Sequence, residues 1–202
     1  MNKYVFEDKT LNDAKEKALK ELNINEENLI ILSEKENKGL LKKSYVLEVS
    51  TIDDVILFIK KTLNEILKLM SIESNLEVRR RDNKIDIKIF SNNNSILIGK
   101  NGRNMKALQT IIRQIVKNYV PVKLMITIDV ENYNDKRVRN LEYLAKNIAK
   151  EVANTKVETK LDNMNSFERR VIHNILSNNK YVYTISEGEE PNRHVIIKPR
   201  EE

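Results

Sequence analysis

Gly99-Lys100-Asn101-Gly102, with an amphipathic helix pattern following at once, constrains this chain more than any other stretch. The chain has only 4 glycines, and two of them stand here, three positions apart. Glycine costs backbone entropy wherever it is ordered, unless the chain needs a positive φ or something must approach the main chain closely. A helix start also presents unpaired backbone N–H groups and the positive end of the dipole. The combination is a place where a phosphate–sugar backbone can lie directly against the main chain. Taken alone, Gly-x-x-Gly reads first as an ordinary turn that opens a helix, so its surroundings decide.

Upstream, Lys84-Ile85-Asp86-Ile87-Lys88-Ile89-Phe90 alternates polar and apolar, the period of a half-buried strand. Downstream, Leu108, Ile111, Ile112, Ile115, Val116 and Tyr119 recur at helical spacing and predict one apolar face. Arg103, Lys106, Arg113 and Lys117 fall on the other side of that helix. Arg113 and Lys117 read as a solvated face. Arg103 and Lys106 lie in the first turn, where cations oppose the helix dipole. That local cost beside a glycine loop points to an anionic ligand.

The charge distribution agrees. The net charge is +6. Residues 1–52 contribute −1, residues 53–131 contribute +5, and residues 132–202 contribute +2. The excess sits in the segment with the glycine loop, as a polyanionic partner requires. With 202 residues the chain has room for one medium domain or two to three small ones. It has no cysteine, which excludes disulfides and cysteine-based zinc sites and fits a reducing, cytoplasmic setting. Residues 1–20 are charged throughout and lack the apolar core of a signal peptide. No stretch approaches the roughly 18 apolar residues of a membrane span. Two histidines, no cysteine and no acidic group at metal-ligand spacing leave nothing for an enzyme to work with. Asp82 and Asp86 have the spacing of a solvated strand face. Neither enzymatic activity nor a cofactor or metal is expected.

Three modules follow in order. Residues 1–50 read β-α-β-β: Tyr4 to Phe6, a helix capped by Thr10 with Asp13, then strands over 29–33 and 44–50 around Lys38-Gly39. Residues 53–131 read α-β-β-α-α-β. A helix capped by Asp53 comes first, then a strand pair turning at Asp82-Asn83, a short helix over 95–98, the glycine loop with its long helix, and a last strand over 122–130. Residues 132–202 open with a helix over 137–152, continue with a strand over 157–161, and start a second helix at Asn165 with Glu168 as its capping-box partner. A strand pair over 181–186 and 193–198 closes the chain. Arg169 and His173, four apart, share one face of the second helix. Arginine offers a fork of donors suited to phosphate, and histidine adds a ring that stacks or donates. Taken alone, the same pair reads first as a structural arginine on a local carboxylate and a histidine packed against the sheet.

The middle order, with Gly-x-x-Gly between its last two helices, resembles the type II KH domain. Glu168-Arg169-Arg170-Val171-Ile172-His173, then Thr184-Ile185-Ser186-Glu187-Gly188, then Arg193-His194-Val195-Ile196-Ile197, resembles the R-three-H domain, which binds single-stranded nucleic acid. Asp129-Val130-Glu131-Asn132-Tyr133, followed by Arg137 and Leu141-Glu142, resembles the join between the two in the Jag family of bacterial proteins. The resemblance covers nearly the whole chain and implies an α+β fold of three small domains: a Jag N-terminal domain (1–50), a type II KH domain (53–131) and an R-three-H domain (132–202). It implies nucleic-acid contacts at Gly99, Lys100, Asn101 and Gly102, with Arg103 and Lys106 beside them, and at Arg169 and His173. Arg170 and Arg193 are further candidate phosphate contacts, and His194 reads as structural. Single-stranded RNA is the implied ligand, with single-stranded DNA as the alternative. Aromatic residues make up only 5% of the chain, which argues against recognition dominated by stacking. The resemblance also implies a small single-KH protein as partner, in a homodimeric or heterodimeric assembly, and a link to cell-envelope growth. An adaptor acting through the N-terminal domain is the rival reading. Two departures stand out. The glycine-rich turn of the family's first domain keeps one glycine here, in Lys38-Gly39-Leu40-Leu41-Lys42-Lys43. The residue after the second loop glycine, often acidic in relatives, is Arg103.

Overall fold

A computed structural model describes residues 1–38 and 43–200. The Gly39–Lys42 turn therefore lies outside the described residues. The chain is α+β and forms two compact units, residues 1–131 and 132–202.

The first unit begins with β1 (Tyr4–Asp8), α1 (Leu11–Leu22), β2 (Leu29–Lys38) and β3 (Lys43–Thr51), whose strands form an antiparallel sheet in the order β1-β3-β2. Thr10 caps α1 by accepting from the Asp13 amide at 3.1 Å, and Asn23 ends it in a left-handed conformation. The face that α1 turns to the sheet is built from Ala14 and Ala18, small enough to bring the helix close to Phe6, Leu47 and Val49.

Next comes α2 (Ile52–Leu69). Its cap is Thr51, which accepts from the Asp54 amide at 3.1 Å, and not Asp53, which already lies inside the helix. Strand β3 thus runs into α2 with no linker. Buried Ile52, Val55, Ile59, Leu63 and Leu67 make the core stripe of α2, while Met70 is exposed.

The second sheet is β4 (Ser74–Arg81), β5 (Lys84–Ser91) and β6 (Met125–Val130), in that order. β4 and β5 are antiparallel, and β5 and β6 are parallel. Parallel neighbours need a crossover. Here α3 (Asn94–Ile98), the glycine loop and α4 (Arg103–Tyr119) supply it. Ile85, Ile87 and Ile89 of β5 and Ile126, Ile128 and Val130 of β6 are buried on one face, and Met105, Leu108, Ile112 and Val116 bury from α4. The buried stripe of α4 is rotated from the expected one: Met105 belongs to it, whereas Ile111 and Tyr119 are exposed. Tyr119 packs edge-on against Phe58 of α2, with ring centroids 5.3 Å apart.

Polar ties link β4 to the segment before β2, and the N-terminal residues to α2 and β3. Arg80 of β4 donates to the Glu27 carbonyl at 3.0 Å and to the Asn28 side chain. Asn2 donates to Asp54 at 2.8 Å, and the Ser50 hydroxyl donates to the Asn2 carbonyl at 2.8 Å.

The second unit contains α5 (Tyr133–Thr155), β7 (Thr159–Lys160), α6 (Ser166–Leu176), β8 (Val182–Glu187) and β9 (His194–Pro199). Helix α5 starts four residues earlier than its apolar pattern indicates, because Asn132 turns the chain in a left-handed conformation directly after β6. The sheet order is β7-β9-β8, all antiparallel. Both helices pack on one core with Val182, Val195 and Ile197.

Candidate nucleic-acid interface

The glycine loop joins α3 to α4 through three positive-φ residues. Gly99 has φ 65° and ψ −178°, a combination essentially confined to glycine. A Cβ there would stand 2.5 Å from Asn104 Cγ. Asn104 cannot easily withdraw, because its side chain donates to the Ile96 carbonyl at 2.8 Å and so ties α4 back to α3 across the loop. Asn101 (φ 54°, ψ 34°) and Gly102 (φ 73°, ψ 16°) complete the turn in left-handed conformations, which asparagine tolerates better than most residues. Gly102 is the N-cap of α4 and offers it no capping side chain. Lys100, Arg103 and Lys106 are all exposed around it.

A wider feature of the sequence becomes meaningful only on this fold. Residues 87–128 contain seven Lys/Arg and no Asp or Glu. That window spans the crossover from β5 to β6, so every surface it builds is free of its own carboxylates.

Along α4, Gln109 accepts from the Ile128 amide at 2.9 Å and Arg113 donates to the Ile126 carbonyl at 2.7 Å. Both groups belong to the outer edge of β6. At the far end of α4 the helix, the segment 120–124 and β6 enclose a cavity of about 530 Å³. Its floor is Val116, Val120, Val122, Leu124 and Ile126, and its charged residues are Arg113, Lys117 and Lys123. Arg113 and Lys117, read from sequence as a solvated face, therefore line a concave surface. Lys123, which helical spacing could not connect to them, joins them through the turn at Pro121.

In the second unit, α6 begins with the capping box that its sequence indicates. Asn165 accepts from the amides of Phe167 at 3.1 Å and Glu168 at 3.2 Å, and Glu168 accepts from the Asn165 amide at 3.0 Å. Glu168 is only 2% exposed and also takes Arg137 Nε at 2.7 Å. Next to it, Arg169 is buried, and its Nη1 donates to the Met164 carbonyl and to Glu190 Oε1, each at 2.8 Å. His173 sits half-buried, with Nδ1 2.6 Å from the Thr184 hydroxyl and Nε2 2.8 Å from the Ser186 hydroxyl. Arg169 and His173 do share a face of α6, and that face looks inward at β8 and the loop after it. Arg170 and Arg193 are exposed. His194 is buried and bonded to the Asn192 carbonyl at 3.1 Å.

Burial, and then the Arg169 charge, hold the His173 pKa below its ordinary value. A neutral ring needs one donor and one acceptor, and two hydroxyls satisfy either tautomer. An unfolded histidine titrates near 6.5. Between that pH and the lower folded value the unfolded chain binds more protons, so stability is full above about 6.5 and falls as the pH drops through the folded pKa. His173→Gln is expected to lose less stability than wild type between neutral and mildly acid pH, as read from denaturant midpoints.

Comparison with known proteins places these features in a family. The description "KhpA/KhpB, KH domain" matches residues 57–137, and the R-three-H domain matches residues 139–199. The chain is 39% identical over 133 residues to the RNA-binding protein KhpB of Clostridium symbiosum, covering 66% of this chain and 60% of that protein. It is 33% identical over 135 residues to the protein of the same name from Lactiplantibacillus plantarum, covering 67% of this chain and 42% of that one. The chain thus spans less than two thirds of both relatives. Against the Bacillus subtilis RNA-binding protein KhpB it is 31% identical over 196 residues, and the match covers 94% of each. With both domains matched in order and one relative matched almost end to end, the chain belongs to the KhpB (Jag) family.

Proposed function

We propose that this chain binds single-stranded RNA and performs no chemistry on it. The carrying observation is the glycine loop, whose Gly102 is the N-cap of α4 and has no side chain to cap it, set in a 42-residue window with no carboxylate. Three similar proteins that bear the name RNA-binding protein KhpB support the reading. In this proposal residues 53–131 form the primary RNA module, residues 132–202 the second, and residues 1–50 a docking module. Gly99, Lys100, Asn101 and Gly102 take the nucleic-acid backbone, and Arg103 and Lys106 supply charge beside it. The strand then follows α4 to the cationic cavity at Arg113, Lys117 and Lys123. Arg169 supplies a phosphate contact in the second module, and His173 positions β8 beside it through Thr184 and Ser186. Two linked weak sites gain avidity when one strand reaches both. Pairing with a small single-KH protein, and a role in cell-envelope growth, belong to the same proposal; co-purification that survives nuclease treatment tests the first.

Titrating labelled single-stranded RNA and DNA of matched sequence across a salt series tests the central claim. Neutralising about four phosphates gives a slope of log affinity on log salt of roughly −3. A slope near zero removes the reading. Equal affinity for the two ligands removes the preference for RNA.

A further inference from the structure

We infer that Glu190 holds down the affinity of Arg169 for a nucleic-acid phosphate, and that RNA engaging the second module competes with it for the guanidinium charge. The inference rests on the RNA reading above. Arg169 has five N–H donors in a fixed fork. Its Nη1 gives one to the Met164 carbonyl and one to Glu190. Among the described residues, no buried side-chain nitrogen or oxygen lacks a partner. Nε and Nη2 have no acceptor among the described residues, and neither atom is fully buried. That free edge is the one suited to two parallel hydrogen bonds with phosphate.

The two members of the ion pair differ in what they lose on separation. The Arg169 side chain is 10% exposed, so its charge requires an anion close by. The Glu190 side chain is 61% exposed, so its carboxylate returns to water at little cost. Its loop is fastened elsewhere. Asn192 donates from its amide to the Glu189 carbonyl at 2.7 Å, and its side chain accepts from Asn163 at 3.1 Å. Its own carbonyl lies 3.1 Å from His194 Nδ1. Glu190 can swing off Arg169 while this base stays in place. A phosphodiester and a carboxylate on one guanidinium repel each other, so the arriving phosphate competes with Glu190. A free anion has only its own affinity to spend on that exchange. A strand held by the glycine loop and long enough to reach Arg169 competes at an effective concentration set by its own length. Glu190 thus lets Arg169 answer to a tethered polyanion and not to solution anions.

The test uses the full chain and a labelled single-stranded RNA, with wild type beside Glu190→Gln and Glu189→Gln. Both variants change the net charge equally, and the glutamine at 190 keeps an acceptor for Arg169. Glu190→Gln is expected to tighten binding about threefold to fivefold, the worth of a partly exposed ion pair. Glu189→Gln is expected to leave it unchanged. In Glu190→Gln the Arg169 Nε–H resonance is expected to shift on adding RNA at lower concentration than in wild type. Equal gains in the two variants, or no gain in either, overturn the inference. In that case loss of binding in Lys100→Asp/Asn101→Asp still upholds the RNA reading. Failure of all forms to bind RNA removes both.

Discussion

Lys100→Asp combined with Asn101→Asp is expected to weaken binding of single-stranded RNA by about a hundredfold while the far-ultraviolet circular dichroism stays that of wild type. Lys100 is exposed, so its replacement disturbs no packing. Asn101 holds φ 54° and ψ 34°, and aspartate visits that region nearly as readily as asparagine. The turn is therefore preserved while its charge changes from +1 to −2. A hydrogen bond from a charged donor contributes about 1.5–3 kcal/mol, and two new carboxylates add repulsion against the phosphates. A loss of about 3 kcal/mol is a factor of about one hundred. Salt-sensitive binding that survives this substitution would mean diffuse attraction to the basic surface, with the loop as a bystander.

The largest expected effect on stability lies at Glu168. Its carboxylate accepts from the Asn165 amide and from Arg137, and the residue is 2% exposed. Glu168→Ala removes a capping box and leaves Arg137 without this acceptor. Losing the cap costs about 1 kcal/mol, and losing the charged hydrogen bond from the partly exposed Arg137 costs about 1.5–3 kcal/mol. Against a typical domain stability of about 5–15 kcal/mol, that moves the unfolding midpoint of residues 132–202 to a clearly lower denaturant concentration. Glu168→Gln is expected to fall between, because its amide oxygen still accepts at the cap while the ion pair is gone. Denaturant unfolding of the three forms, followed by the circular dichroism of α5 and α6, reads the order. Equal midpoints for Gln and wild type would show that the cap alone matters.

What the sequence made legible was local. The Asn165–Glu168 capping box spans three residues, and each partner needs only the other. The order of elements through the crossover followed from alternation in β5 and helical spacing in α4. The loop announced itself because its glycines answer a backbone demand, a positive φ, that does not depend on distant residues. Distant partners were not legible. Thr51 and Asp53 are both good caps, and the choice turns on where β3 stops, which the pairing of Leu29 with Thr51 decides. Arg169 read as a ready phosphate ligand because Glu190, twenty-one residues later, gave no sign of meeting it. The cavity escaped because its cations belong to a helix and to the turn beyond it, and no single periodicity links Lys117 to Lys123. A long window without carboxylates was visible all along, yet it acquires meaning only when the fold makes it the single crossover from β5 to β6.

Strand β6 lies at the end of its sheet, where a bare ladder edge would invite another polypeptide to add a strand. Gln109 and Arg113 have taken the Ile128 amide and the Ile126 carbonyl on that edge. An extended peptide arriving there finds these two rungs occupied by side chains that a docked strand would have to evict. Arg113 stays exposed and Gln109 half-buried while they do so, and a ligand that meets them there needs no continuous ladder. These two occupied rungs disfavour sheet growth from that edge, along the flank of the surface proposed to carry RNA.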